Sequence, residues 1–232
     1  MRHTSKAAHA ALKLVYWTLF FILALMLAGT LAQLLGPLII RVAGALMVLW
    51  VFFGLFTLYF FRDPQPAIPT DPLAIVAPAC GKVDVVDEVD EPLFLGSRCR
   101  RVSVFMSIFD VHVQRSPVAG RLVYYRHTPG RYLSALRADS AAANENVLLG
   151  FESLEQAGER IAVRLIAGVL ARRIAVWTQP WEQVERGERI GLIHFGSRVD
   201  IYLPMQAQIA VRIGQHVTAG CTVIATRSSP RA

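Results

Sequence analysis

The chain begins with two long apolar runs and then changes to short alternating segments. Residues 14–35 carry no charged side chain, and residues 38–61 carry only Arg41. At ~1.5 Å per helical residue the first run is about 33 Å long, enough to cross the hydrocarbon core of a bilayer. Gly36 and Pro37 separate the two runs and are typical of a helix break. The pattern therefore predicts a two-helix membrane hairpin over residues 14–61.

Basic side chains flank the predicted hairpin and indicate its orientation. Arg2, Lys6 and Lys13 precede it and Arg62 follows it, so the positive-inside rule places both ends in the cytoplasm. A secretory signal peptide is disfavoured, because no small-residue cleavage site precedes the second run. A soluble core hairpin is disfavoured too, because a domain of about 170 residues would have to cover about 48 apolar ones. We expect a cytoplasmic tail over residues 1–13, a cell (inner) membrane location, and a cytoplasmic catalytic domain.

After residue 61 the pattern is that of a linker followed by one β domain. Residues 62–73 contain four prolines and predict an extended linker. From residue 74 to residue 232, short apolar runs alternate with Gly, Pro and Asp turns, which predicts a mainly β fold, a compact barrel or sandwich. The predicted strands are 75–76, 82–86, 101–105, 118–125, 161–166, 174–178, 189–194, 199–203, 209–213 and 222–226.

Two segments of this domain share a pattern of paired glycines around a β-branched residue. They are residues 184–191 and 213–220. This spacing suits short turns between the strands of a compact barrel, and it resembles the half-motifs of biotinyl and lipoyl carrier domains. The chain's lysines are Lys6, Lys13 and Lys82, so no lysine lies in a hairpin between the two segments. We therefore interpret the repeat as architecture and not as a carrier site.

Composition and charge narrow the class of partner. The chain has a formal net charge of +7, which favours contact with an anionic lipid surface. Nucleic acid is disfavoured, because no basic stripe is interleaved with aromatic residues. Cys80, Cys99 and Cys221 are odd in number and lack metal-ligand spacing, so we expect neither a disulfide framework nor a metal site.

The Gly196–Ser197 step is a candidate site of self-cleavage. A serine hydroxyl can attack the preceding carbonyl, and glycine leaves that carbonyl open. Gly-Ser pairs also form ordinary turns, so a turn serine at a strand start is the alternative. Further motifs lie at residues 61–64, 105–120, 166–168, 171–173 and 194–204. Together, over residues 60–225, they resemble the short bacterial phosphatidylserine decarboxylases, which are pyruvoyl-dependent membrane enzymes.

This resemblance implies that Ser197 becomes a covalent pyruvoyl group. The Ser197 hydroxyl would attack the Gly196 carbonyl, and the resulting ester would undergo β-elimination. Hydrolysis of the dehydroalanine with loss of ammonia would then leave the pyruvoyl ketone. The products would be a β subunit, residues 1–196, and an α subunit, residues 197–232. The ketone would accept the serine amine of phosphatidylserine and the electrons released with CO2, so that phosphatidylethanolamine is formed.

The resemblance also assigns roles to other residues. His112 matches the family's catalytic histidine, as base toward the serine hydroxyl and later as acid. Asn144 and Glu145 occupy the place of the family's Asn-Glu-Arg run, and Arg172 and Arg173 are candidates for the headgroup phosphate. Solvated charges at a strand edge are the alternative for these four residues. His194 lies three residues from Ser197 and is a further candidate neighbour of the site.

Cys80 is where the chain departs from the family pattern. The family's Pro-Ala-Asp-Gly is here Pro-Ala-Cys-Gly, and a thiol cannot hold an imidazolium as a carboxylate does. Three outcomes stay open: Cys80 orients the histidine more slowly, Asp84 or Asp110 substitutes, or the chain is a processing-defective, non-catalytic lipid-binding homologue. Decarboxylation of another serine-headed lipid is a further alternative.

Overall fold

The computed structural model describes residues 4–133, 143–168, 173–194 and 197–228. The chain divides into two compact units, Met1–Thr57 and Leu58–Ala232. Gly196 and Arg172, two of the predicted site residues, lie outside the described residues.

One helix, α1, runs from Thr4 to Phe60, with Pro37 inside it. Within it, Val15–Phe60 is long and apolar enough to cross a membrane, and is the one such helix in the described part of the chain. The apolar side chains described from Val15 to Leu55 are exposed, as expected of a segment whose neighbours are lipid tails.

The predicted hairpin with a break at Gly36–Pro37 is wrong: the structure has a single continuous helix there. Proline removes one backbone donor, whereas a turn would leave several backbone groups unpaired, each at a high cost in an apolar setting. A continuous helix therefore has the lower free energy in such a setting. The hairpin was the reason for placing both ends on the cytoplasmic face, and a single crossing would place the two helix ends on opposite faces. The side on which the β domain lies therefore stays a prediction.

The prediction of a mainly β domain is confirmed. The strands are β1 Ala74–Val76, β2 Gly81–Glu91, β3 Ser97–Met106, β4 Val113–Arg115, β5 Gly120–Thr128, β6 Asn146–Ser153, β7 Arg160–Ile166, β8 Ile174–Val176, β9 Gln183–Val184, β10 Arg189–Ile193, β11 Ser197–Leu203, β12 Gln208–Ile209, β13 His216–Val217 and β14 Val223–Thr226.

The described strands form three antiparallel sheets. An eight-stranded sheet has the order β13-β2-β3-β11-β7-β6-β5-β9, and two three-stranded sheets have the orders β1-β14-β12 and β4-β10-β8. The inward side chains of all three sheets meet in one core, which includes Val104, Met106, Leu165, Val199 and Ile224. Strand β11 lies between β3 and β7, and all seven of its residues are buried.

The strand β6 was absent from the sequence prediction. Its residues 146–151 are all buried, so it lacks the alternation of a half-exposed strand. Gly150 also interrupts the run, because the ring of Phe94 occupies the space that a Cβ at Gly150 would need. Packing on both faces, which the sequence pattern does not reveal, therefore determines this strand.

Arginine side chains hold the linker, residues 62–73, on the β domain. Asp63 forms ion pairs with the buried Arg115, at 2.5 Å, and with Arg189. Arg186 donates to the carbonyl oxygens of Pro69, Asp71 and Pro72, and Arg227 donates to that of Pro72. The proline-rich segment is thus fixed in place on the β domain, and its extended form stays a prediction.

The first glycine of each pair in the repeat lies at a turn, whereas Gly191 lies inside β10. Gly187 and Gly214 have φ values of +78° and +89°, a region that favours glycine. The first precedes β10 and the second precedes β13. The repeat therefore supplies turns before β10 and β13, which is a structural role.

Candidate active site

Ser197 is the first residue of β11 and its side chain points into the core. Its exposed fraction is 0%, and its hydroxyl donates to Met106 Sδ over 3.4 Å. Met106 is the cross-strand partner of Ser197 at the end of β3. The serine therefore lies at a strand start, as the alternative interpretation expects, but it is fully buried, which is unusual for a turn serine.

His112 follows a tight turn after β3. In this turn Asp110 N–H donates to the Ser107 carbonyl, and the Asp110 carboxylate accepts from Ser107 N–H and Oγ–H. The Asp110 carbonyl lies 2.9 Å from His112 Nδ1. A carbonyl oxygen only accepts, so Nδ1 carries the proton of the neutral ring and Nε2 is its basic nitrogen.

The environment of His112 favours the neutral ring. Its exposed fraction is 0%, and this burial lowers the pKa of His112 below its usual 6.5, although the Asp110 carbonyl and carboxylate act in the opposite direction. Near neutral pH the imidazole is therefore in the form that can accept a proton.

Met106 and Gln114 connect the serine to the histidine. Gln114 Nε2 lies 3.7 Å from Met106 Sδ and donates to the His112 carbonyl over 2.7 Å. Both Gln114 and Met106 are fully buried. Ser197 and the backbone of His112 are thus joined through a thioether and a carboxamide. Sequence analysis missed both linking residues, although they lie inside the motif at residues 105–120.

Gln114 has one polar atom without a partner in the described part of the chain. This atom is the side-chain oxygen, Oε1. A buried acceptor without a partner costs free energy unless a further donor meets it. The carboxamide oxygen can therefore accept one further hydrogen bond.

Cys80 lies near the end of β3, next to the close contact that Gly81 makes. Gly81 packs so closely on the backbone of Phe105 and Met106 that a Cβ would overlap it, and this contact places Cys80 at the end of β3. The Cys80 sulfur accepts from Ala219 N–H over 3.2 Å. Burial raises the pKa of the Cys80 thiol, so residue 80 is uncharged at neutral pH.

The two carboxylates proposed as substitutes lie in different places. Asp84 is 3.5 Å from Arg198, and burial raises its pKa. Asp110 contacts His112 directly, but through its backbone carbonyl, whereas its carboxylate lies 2.9 Å from His216 Nε2. Of the two, only Asp110 has a described contact with the imidazole.

A charged cluster begins one residue after Ser197, on the opposite face of β11. Arg198 pairs with Asp200 over 2.8 Å and donates to Ser103 Oγ over 2.7 Å. The side chains of Arg198 and Asp200 are 5% and 0% exposed. Sequence analysis did not identify this cluster, because alternating charges in a strand usually indicate a solvated face.

Asn144 and Glu145, which were predicted as substrate-binding residues, lie near the same sheet end. Ile166 pairs with both Arg198 and Asn146, so the segment before Asn146 borders the start of β11. Asn144 is buried and bonds Leu133 and the Ala167 carbonyl. Burial disfavours the charge on Glu145, but hydrogen bonds from Tyr132 and His127 outweigh it and lower its pKa.

Arg173 and His194 are the remaining predicted site residues that the structure describes. Arg173 is exposed, and its carbonyl accepts from His194 N–H. The His194 ring lies 5.7 Å from that of Phe61, and the His112 ring lies 4.2 Å from that of Phe60. In the sequence, Phe60 and Phe61 were interpreted only as the end of the predicted membrane hairpin. Their ring contacts with His112 and His194 were not predicted.

Comparisons with known proteins identify the family to which this chain is similar. A family model described as phosphatidylserine decarboxylase matches residues 53–225. The chain is 43% identical over 169 residues to a phosphatidylserine decarboxylase proenzyme of Desulfotalea psychrophila, covering 73% of this chain and 78% of that protein. Identity to the proenzyme of Symbiobacterium thermophilum is 42% over 82% of this chain and 90% of that protein. Identity to the proenzyme of Prosthecochloris aestuarii is 40% over 90% of this chain and 93% of that protein.

Proposed function

This chain belongs to the phosphatidylserine decarboxylase family and is a decarboxylase, and we propose that it matures by self-cleavage between Gly196 and Ser197. We further propose that α1 anchors it to the membrane and that it converts phosphatidylserine to phosphatidylethanolamine and CO2. The word proenzyme in the names of its relatives supports processing. The length and apolar character of α1 support anchoring.

One observation carries the proposal of self-cleavage. A fully buried serine and a fully buried neutral histidine are linked through Met106 and Gln114 at one end of the core. A serine hydroxyl needs a base to become a nucleophile, and neutral imidazole is suited to that task near neutral pH. The burial of both groups excludes the bulk water that would compete with the internal attack.

Maturation can be written with every bond accounted for. His112 accepts the Ser197 hydroxyl proton, Oγ bonds to the Gly196 carbonyl carbon, and the peptide C–N bond breaks as nitrogen takes a proton. Removal of the Ser197 Cα proton then breaks the Cβ–Oγ bond and releases the Gly196 carboxylate. Water replaces the nitrogen at residue 197, which leaves as ammonia.

The residues around Ser197 fit the ketone that this reaction would produce. A pyruvoyl group is small and uncharged, so it needs no counter-charge in this buried position. It would supply a carbonyl that takes the substrate amine and an electron sink for decarboxylation. The Gln114 Oε1 atom, unpartnered in the described chain, is an acceptor suited to a donor of the substrate headgroup.

Asp110 is the proposed substitute for the family aspartate missing at position 80. Its carbonyl fixes the tautomer and the orientation of His112, the task that a carboxylate performs in related catalytic sites. A neutral carbonyl stabilises an imidazolium less than a carboxylate does, so we expect slower maturation than in a relative that has aspartate there.

Cys80 also favours a second candidate function. The Cys80 thiol is neutral, and its sulfur accepts a hydrogen bond from Ala219 N–H. Cys80 therefore supplies no charge to His112. If maturation needs that charge, the chain is a lipid-binding homologue that keeps the fold and does not cleave itself.

The intact mass of the purified full-length chain decides between the two functions. The proposal expects a fragment of residues 197–232 whose mass is lower than the unmodified sequence by one ammonia, together with phosphatidylethanolamine formation on phosphatidylserine vesicles. Ser197→Ala is the matched control and should give one uncleaved species near 25.7 kDa. The same uncleaved species in the wild type, after long incubation with membranes, would contradict self-cleavage and favour lipid binding alone.

A further inference from the structure

The helix α1 ends against the candidate active site. Phe60 is its last residue, and among the α1 residues with described side chains it alone is fully buried, with an exposed fraction of 0%. Its ring centroid lies 4.2 Å from that of His112, at an interplanar angle of 36°. A residue that continues an exposed apolar helix thus covers one face of the imidazole.

Hydrogen bonds fix this helix end to the turn that carries His112. Tyr59 Oη donates to the Phe109 carbonyl over 3.3 Å, and Arg62 Nη2 donates to the same oxygen over 2.6 Å. The Arg62 guanidinium also lies 3.8 Å from the centre of the Tyr59 ring. The next carbonyl, that of Asp110, accepts from the imidazole. Consecutive carbonyls of one turn therefore hold the helix end and the histidine.

We propose that Phe60 is a positioning residue for His112, which holds the plane of the imidazole and excludes water from one of its faces. This inference rests on the proposed role of His112 as the base of self-cleavage. The Asp110 carbonyl accepts from Nδ1, and a hydrogen bond at the edge of a ring does not by itself set the tilt of the ring plane. Contact with a flat aromatic side chain restricts that tilt, because ring pairs have preferred geometries.

The departure at position 80 makes this contact more important. A carboxylate there would orient the ring by charge, whereas the Cys80 thiol is neutral. Orientation must then come from the Asp110 carbonyl together with shape and burial, and Phe60 contributes to the latter two. The same contact couples the membrane segment to catalysis, because the residue that ends the helix is also the residue that orders the base.

The charged and titratable groups that face His112 are Asp110, Arg62 and His194. Asp110 favours the protonated ring, and Arg62 and His194 disfavour it, but burial has the largest effect. Truncation of Phe60 admits water, which stabilises the imidazolium and moves the pKa of His112 up toward its usual value. The acid limb of a rate profile that needs neutral His112 should therefore move to higher pH.

The test uses the full-length chain in lipid nanodiscs and the variants Phe60→Ala, Phe60→Leu and Phe60→Trp. Phe52→Ala is the matched control, because it removes the same atoms from an exposed position of the same helix. Self-cleavage is followed by intact mass after cell-free synthesis, as a function of pH. In a Ser197→Ala background, NMR titration of labelled histidine, assigned with His112→Gln, reports the protonation of His112 without cleavage.

We expect Phe60→Ala to slow cleavage by several-fold to about tenfold, the range that a lost aromatic pair predicts, and to shift both the acid limb and the His112 titration upward. Phe60→Trp should restore both. Phe60→Leu, which keeps the site apolar if the alanine variant fails to fold, should slow cleavage with a smaller shift. Phe52→Ala should change neither measurement.

Two results separate failure of this inference from failure of the proposed function. A wild type that cleaves, with Phe60→Ala and Phe60→Leu leaving both the profile and the titration unchanged, would overturn the positioning role alone. A wild type that never cleaves, with a His112 titration that still moves in Phe60→Ala, would overturn self-cleavage and keep the contact as a means of holding the imidazole neutral.

Discussion

Ser197 and Arg198 are neighbours on β11, but they project into opposite electrostatic environments. Ser197 faces the core, where its described contact is a thioether and where the nearby His112 and Cys80 are neutral. Arg198 faces the other side, where Asp200, Ser103 and Asp84 surround its guanidinium. Hydrogen bonds to charged groups are stronger than those to sulfur, so the charged face fixes the strand. On the neutral face, the described hydrogen bond of the Ser197 hydroxyl goes to the weaker acceptor.

The largest expected effect comes from removing the hydroxyl. Ser197→Ala should abolish cleavage completely, and it should change the free energy of unfolding by no more than about 1 kcal/mol, because the lost hydrogen bond is a weak one. Intact mass and chemical denaturation of the same sample measure both effects. A loss of several kcal/mol would mean that the serine is part of the structural framework, and the contrast between the two faces would not hold.

The opposite result is expected on the charged face. Asp200→Ala leaves the buried Arg198 without its closest partner and should destabilise the protein by about 3–5 kcal/mol, as measured by denaturation of the Ser197→Ala chain. The matched control is Arg160→Ala, which breaks an ion pair with Glu152 whose side chains are 52% and 47% exposed. That change should cost less than about 1 kcal/mol. Equal losses at the two sites would show that burial of the charged cluster carries little energy.

The pH dependence tests the neutral face. Because the pKa of His112 is lowered in the folded state, the unfolded chain binds more protons, and stability is lost as pH falls from about 6.5 through the folded pKa. Cleavage should lose about tenfold per pH unit below the folded pKa, since one proton blocks the base. The rate of fragment formation over a pH series checks this slope. A rate that stays flat through that range would exclude His112 as the base.

The smallest expected effect is an increase in the rate of self-cleavage. Cys80→Asp introduces a carboxylate beside the site, and its charge should stabilise the imidazolium formed as His112 takes the proton. We expect cleavage above pH 7 to become a few-fold faster, with Cys80→Ser as the uncharged control of similar size. Unchanged kinetics in both variants would mean that the Asp110 carbonyl already meets the need for orientation.

The sequence predicted those parts of the fold that a local pattern encodes. Alternation located β11 and β7, and the glycines at 187 and 214 located turns. The failures have physical causes. At Pro37 the cost of breaking a helix in apolar surroundings outweighed the lost hydrogen bond, and at β6 burial on both faces removed the alternation.

For the site, the motifs supplied Ser197 and His112, but the residues that connect them resemble ordinary core residues. Met106, Gln114 and Phe60 carry no signal in an alternating pattern, and only the tertiary arrangement brings them together. The roles suggested for Asn144 and Glu145 stay predictions. The structure shows that their side chains already bond neighbouring segments of the chain.

The position of β11 between β3 and β7 has a consequence for the two products of the proposed cleavage. Residues 197–228 supply β11, β12, β13 and β14, and three of these pair with strands from the first part of the chain. Arg227 also donates to Glu155, Glu159 and the Pro72 carbonyl. A fragment inserted in this way can dissociate only when the whole sheet opens. Its exchange between molecules should therefore be as slow as global unfolding, and each mature enzyme should keep the small subunit with which it was synthesised.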